Sequence, residues 1–468
     1  MHILLAEAIG WLDTEGSRLL HARRLSEDHP KHQAMRALFE RPEITFFLRL
    51  GDALRTALKQ DTPLVFVTDW TDPTEMVGLA LEDDSGITTY PDLGFLAFYT
   101  DWDDLEQSGI QRIFSHEFSH LWLHALGLDL TNTPSVHFHT ITAMTDAFLA
   151  FSEGFAEHLE IVAEELQGVP HNEALYDQGL DVESWLSYRD AALRVHAVKN
   201  NRFLYHTADV HYDEAMSYAD FHQLHITSSA WMPERIKSGT QLLASEGFLA
   251  SWFHLFRTDQ AFAAPCPSDI LASFGCEDQT DPLFHRYLKM FAAFLQMDWT
   301  KETLLVDFVR IYGELFPSEQ EALYDLFLKT TRLSTVDHDL SHLFEQLYVI
   351  GRLGDPERFK DHLLLVRQTT NETLEAVLKA PALLAQAIQP SIWMTTDKTI
   401  RPVPWSSEEV LHRINLNTAT PVDFMALSDI DIAMANHLVE ERDRRNGFET
   451  LDAFESTLAQ LKQRCHTT

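Results

Sequence analysis

The sequence predicts an α+β chain in which a short sheet gives way to a long helical region. Two runs, PLVFVTDW (63–70) and EMVGLALED (75–83), are rich in Val, Leu and Phe and are separated by the turn-forming TDPT. A third run of the same kind is GFLAFYT (94–100). Beyond Tyr99, apolar residues recur at three- and four-residue intervals over most of the remaining length. With 468 residues, 45% hydrophobic and 23% charged, the composition is ordinarily globular and the chain long enough for more than one domain.

Residues 1–60 read as an N-terminal helical segment, because RALFERPEITFFLRLGDALRTAL carries apolar clusters at helix-like spacing. Residues 61–170 hold the three strand-like runs and two long helices. The first helix is predicted over Gln107–Leu126 and stops at Gly127, a residue suited to the left-handed position after a helix. The second is predicted from about Thr145 to Leu166, with Phe148, Phe151, Phe155, Leu159 and Val162 as its buried stripe. Residues 171–387 read as a helical second lobe. The proline-bearing stretch 388–409 reads as a linker, and 410–460 as a small all-α module.

Asp and Glu number 71 against 36 Lys and Arg, a formal net charge of -35, which repels nucleic acid over long range. Cys266, Cys276 and Cys465 are too few for a disulfide scaffold, although the first two lie near enough in a loop-like stretch to pair in an oxidising compartment. The amino terminus lacks a basic region and its apolar run is broken by Glu7, so it does not read as a signal peptide. No apolar run is long enough to span a bilayer. The expectation is a cytoplasmic protein with no membrane partner.

His116-Glu117-Phe118-Ser119-His120 carries the chemistry. Residues four apart share a helix face, so both imidazoles can reach one ion, and the intervening carboxylate of Glu117 can reach a water on that ion and take its proton. A catalytic zinc site needs a third protein ligand and one open position. Glu153, opening the run Glu153-Gly-Phe-Ala-Glu157-His158 on the next helix, is the leading candidate. Gly154 and Ala156 are small enough for two helices to approach closely there. Glu157, one turn on, can accept the second ring N–H of a ligating His. His124, His137, His139 and Glu246 are alternative third ligands, and His158 reads as a packing or surface residue. Tyr205, His206, His211, Tyr212 and Tyr218 form the richest collection of oxyanion donors, with Tyr212 preferred and His211 next.

His116–His120 followed by the Glu153–Glu157 run resembles the gluzincin class of zinc metallopeptidases, in which a glutamate on a helix downstream of H-E-x-x-H completes the metal site. The resemblance implies a zincin-like fold, Zn²⁺ held by His116, His120 and Glu153, Glu117 as general base, Glu157 as support, and a peptide or protein substrate. It also implies that the strand before the metal helix, here Gly94–Tyr99, pairs with an extended substrate.

At the C-terminus, Ile414–Thr420, Leu427–Asp431, Ala435–Arg442, Gly447-Phe448 and Leu451–Phe454 resemble the helix-hairpin-helix domain of DNA-uptake proteins. Two hairpin glycines of that domain, which let backbone N–H groups approach phosphate, are Asp429 and Asp431 here. Residues 413–458 carry four Arg against nine Asp and Glu, net -5. A protein-binding appendage is therefore expected before a nucleic-acid contact. Two other readings stand beside the metallopeptidase: a non-enzymatic zincin-like scaffold, and a DNA-associated protein acting through the hairpin.

Overall fold

Residues 3–14 and 17–24 form two antiparallel strands, not the helix expected for them within 1–60. In the computed structural model the described residues are 2–14, 17–70, 74–100, 102, 110–130, 140–142, 144–167, 192–207, 231–301, 304–335, 338–388, 392–400, 409–445 and 447–466. Strand β1 (Ile3–Thr14) pairs antiparallel with β2 (Ser17–Arg24), and helices α1 (Pro30–Phe39) and α2 (Pro42–Leu58) follow. The physical reason is period two: Leu4, Ala6, Leu20 and Ala22 face one core, while Glu7, His21 and Arg23 stand outside that cluster. Only the segment after Pro30 has the helical period.

Three further strands, β3 (Leu64–Thr68), β4 (Thr74–Asp83) and β5 (Gly86–Ala97), close the sheet into a barrel of order β1-β2-β4-β5-β3. Its interior is filled by Leu4, Ala6, Val65, Val67, Leu79, Leu81, Leu93, Phe95 and their neighbours. A buried Leu or Phe in such a core contributes about 1.5–3 kcal/mol relative to exposure. The strand is also longer than expected, because Tyr90-Pro91-Asp92 lies within β5. Pro91 falls where the β4–β5 register shifts between Val77 and Leu79, so its missing N–H interrupts no regular ladder.

The chain forms two compact units, Met1–Asp129 with Phe155–Pro170 and Ala263–Leu295, and Leu130–Gly154 with His171–Phe262 and Gln296–Thr468. In the first unit, helix Pro282–Phe294 packs by Phe284 and Tyr287 on Phe46 and by Phe291 on Trp122. Helix α3 (Ile110–Ala125) lies on the outer face of the barrel, where Phe114 and Phe118 meet Phe66. It crosses α2 at Gly51, where a Cβ would stand 2.6 Å from Phe118 and 2.9 Å from Trp122. Gly127 closes α3 at φ 105, its N–H donating to the His124 carbonyl at 2.9 Å. Cys266 and Cys276 are free thiols, so the pairing considered for them is not made.

Helix α4 (Ala147–Gln167) starts at Asp146, whose Oδ1 accepts from the Phe148 and Leu149 N–H groups. Phe151, Phe155, Leu159 and Val162 are buried as expected; Phe148 is only half-buried. In the second unit, helix Glu246–Thr258 packs Trp252 and Phe256 on Phe308 and Tyr312 of helix Leu304–Leu315. This unit also holds a small sheet of strands Tyr205–Thr207 and Trp231–Ile236.

The C-terminal module is not all-α, and 388–409 is not purely a linker. Strand Trp393–Ile400 pairs with strand Val410–Asn415, and Met394 packs on the same core as Ile414, Phe424, Leu438 and Phe454. Residues 401–408 lie outside the described residues. The module attaches through Thr240, whose hydroxyl meets the Asn415 backbone and the Thr418 hydroxyl. Asp429 takes the left-handed conformation, φ 61, and the Asp431 carboxylate accepts from the Met434 N–H at 2.8 Å, capping helix Ile432–Arg444. A side chain of the protein thus fills the anion position at that helix start. Among the described residues no helix is long and apolar enough to cross a membrane.

Candidate metal centre

One side of α3 is committed to the core through Phe114, Phe118 and Trp122, all buried. Helical geometry then turns His116, Glu117 and His120 toward the other side, where each is half-buried. The two imidazoles have ring centroids 4.9 Å apart and planes at 77°. Ser119 ties the same turn by donating from its hydroxyl to the His116 carbonyl at 2.7 Å.

Glu153 lies in the second turn of α4 and is buried, 7% exposed. Its carboxylate and the two imidazoles offer ligand atoms that all lie within 4.8 Å of one another. Tetrahedral ligands about 2.1 Å from an ion are spaced ~3.4 Å apart, so small side-chain rotations bring this set to coordination distance. Among the described residues it is the only group of three or more His, Cys, Asp or Glu with that property. The group can hold a metal ion.

The residue that holds His116 is Glu160. Its Oε1 lies 2.8 Å from His116 Nδ1, with the two side chains 16% and 20% exposed. With Glu160 ionised the carboxylate only accepts, which places a proton on Nδ1 and, in the neutral ring, leaves the Nε2 lone pair for an ion. The sequence reading gave such a role to Glu157, which is half-buried on the same face. Glu160 is seven residues, two turns, beyond Glu153, so the helical period that selected Glu157 also contained Glu160. The missing information was how far along α4 the imidazole of His116 falls.

Gly154 serves a different neighbour from the one expected. A Cβ there would stand 2.5 Å from Leu249 Cβ and 2.7 Å from the Glu246 carbonyl, so its smallness seats α4 on helix Glu246–Thr258 and not on the metal helix. Glu246, 1% exposed, is not in the metal-capable group. Its charge acts on Lys237, a buried cation that donates to Ser245 Oγ at 2.8 Å. Burial pushes Lys237 down to about 7, with Glu246 opposing. Nearby His206 is pushed down to about 4 by burial and by the cations Lys237 and Arg235, so it stays neutral at physiological pH.

His158 is fully buried and hydrogen-bonds Tyr287 through Nε2 at 2.7 Å, a packing role as expected. His124 is exposed on the last turn of α3. His211, Tyr212, Tyr218, His137 and His139 lie outside the described residues. The substrate-pairing role expected of Gly94–Tyr99 is not supported by the barrel. Leu96 and Ala97 pair with β4 on one edge and with Phe66 and Val67 of β3 on the other. The Phe98 N–H and carbonyl are engaged by Val67 and Trp70. Leu96, Ala97 and Phe98 are thus engaged on both edges, while Gly94 and Phe95 pair with β4.

Comparison of the chain with protein-family models, with curated proteins and with solved structures returns no match.

Proposed function

We propose that the chain is a zinc-dependent metallopeptidase of gluzincin type. The observation that carries the reading is the joint placement of His116, His120 and Glu153, with Glu160 behind His116. Two neutral imidazoles and one carboxylate are the donor set of catalytic zinc, and they leave the fourth position open. A bound zinc ion would supply Lewis acidity, lowering the pKa of water and polarising a peptide carbonyl. His116, His120 and Glu153 would hold that ion, and Glu160 would fix the tautomer of His116. Glu117, next to His116 on the same helix, takes a proton from the attacking water and delivers it to the departing amine. An intact carboxylate at 117 favours this over a purely structural site, which needs no base.

The C-terminal module fits a protein partner better than DNA, because Asp431 caps the helix start where a phosphate would sit and Asp429 adds a second negative charge. The test of the main reading compares wild type with Glu117→Gln for zinc content and for cleavage of a diverse peptide library. Retained zinc with cleavage lost by about 100-fold or more is expected. Equal cleavage by both proteins removes Glu117 from its role, and absence of cleavage by wild type removes the reading.

A further inference from the structure

A cavity of about 680 Å³ opens among the last turn of α2, the Thr89–Gly94 part of β5 and one flank of α3. That flank carries Phe118, Leu121, Trp122 and Ala125, and helical geometry turns it away from His116 and His120. The volume suits a small organic molecule. Leu54, Leu58, Leu93, Phe118, Leu121 and Trp122 give it an apolar floor.

Arg55 is the cation in its wall. It is half-buried and donates to two neutral acceptors, the Thr62 carbonyl and Gln60 Oε1. Among the described residues it forms no ion pair. Burial holds its pKa below the ordinary arginine value, with the Asp52 charge opposing. A guanidinium has five N–H donors, so three remain for an acceptor from outside. Trp122 contributes ring surface to the same wall, while its indole nitrogen is buried against Gly51. Exposed Lys59, Asp61, Asp92 and His124 form the rim. The two aspartates offset Lys59 and disfavour a doubly charged head, which leaves a single negative charge as the best match for Arg55.

We propose that this cavity binds a small amphipathic carboxylate, with its head on Arg55 and its apolar body on the floor made by α2, β5 and α3. The inference is independent of whether the metal centre is catalytic.

The test is calorimetric titration of the full chain with 6-phenylhexanoate and with the matching neutral alcohol, 6-phenylhexanol. Wild type is expected to prefer the acid by about ten-fold, the worth of one charge-assisted hydrogen bond. Arg55→Met abolishes that preference, whereas Arg55→Lys keeps part of it. Ala125→Phe, which fills the cavity from α3 and leaves Arg55 in place, weakens both ligands by about ten-fold or more. Equal binding of acid and alcohol overturns the proposal. So does a preference that survives Arg55→Met, undiminished binding to a folded Ala125→Phe protein, or failure of wild type to bind either molecule.

Discussion

Removing Glu160 should loosen the metal without touching any ligand. In wild type its Oε1 lies 2.8 Å from His116 Nδ1, and the two side chains are only 16% and 20% exposed. A hydrogen bond to a charged group at such depth contributes about 1.5–3 kcal/mol, and a neutral one about 0.5–1.5 kcal/mol. Each ~1.4 kcal/mol is a factor of ten in affinity. Glu160→Ala, which loses the bond and frees the ring to turn, is therefore expected to weaken zinc binding by about 10–100-fold. Glu160→Gln still offers an amide oxygen to the Nδ1–H, and its loss should be nearer the bottom of that range. The assay is competition for zinc against a chromophoric chelator at neutral pH, with circular dichroism of the metal-free proteins to separate affinity from folding. A folded Glu160→Ala protein whose zinc affinity stays within about two-fold of wild type would refute the argument. If wild type itself takes up no zinc, the centre fails altogether.

Three further outcomes follow from other parts of the fold. Gly154→Ala places a methyl group 2.5 Å from Leu249 Cβ and 2.7 Å from a backbone carbonyl, neither of which yields easily, so it should cost about 1–3 kcal/mol in urea unfolding; unchanged stability would mean the helices separate freely. Lys237, lowered to about 7 from 10.5, binds fewer protons folded than unfolded, so its burial weakens the fold most below about pH 7. Wild-type stability relative to Lys237→Met should therefore rise from pH 7 toward pH 10, by up to ~1.4 kcal/mol per pH unit, and parallel pH profiles for the two proteins would contradict that sign. Asp431→Ala removes the cap of helix Ile432–Arg444 and should lower amide protection at its start by about 1 kcal/mol in hydrogen exchange, with Gly447–His466 as the internal reference.

The sequence was legible wherever one short-range rule settled the matter. The spacing of His116 and His120 put both on one helix face, and α4 near Thr145 followed from the helical recurrence of Phe148, Phe151, Phe155, Leu159 and Val162. It was not legible where two periods compete over a short stretch. Leu4, Leu5, Ala6 and Ala8 suit a helix locally, and become a strand with β2 beside them and β3 as a parallel partner about 60 residues away. Trp393–Ile400 was hidden in a proline-bearing stretch for the same reason: its pairing partner, Val410–Asn415, lies on the far side of Pro402 and Pro404. Glu160 escaped because periodicity names every carboxylate on a helix face and does not say which one a neighbouring helix will meet. The cavity around Arg55 had no local signature, since its walls come from three elements distant in sequence.

The barrel's closure rests on an uneven set of joints. β1 and β2 are matched over eight residue pairs, whereas β3 meets β5 through Phe66 with Leu96 and Val67 with Ala97, extended by the Phe98 N–H on the Val67 carbonyl. A ring fastened so briefly at one point should part there before anywhere else, and the parted edges would be the place where a foreign strand could zip on. Resistance of the N-terminal region to sheet-extending aggregation therefore depends on this short clasp, and on the stacked phenyl rings of Phe66, Phe98 and Phe114 that hold it shut from outside.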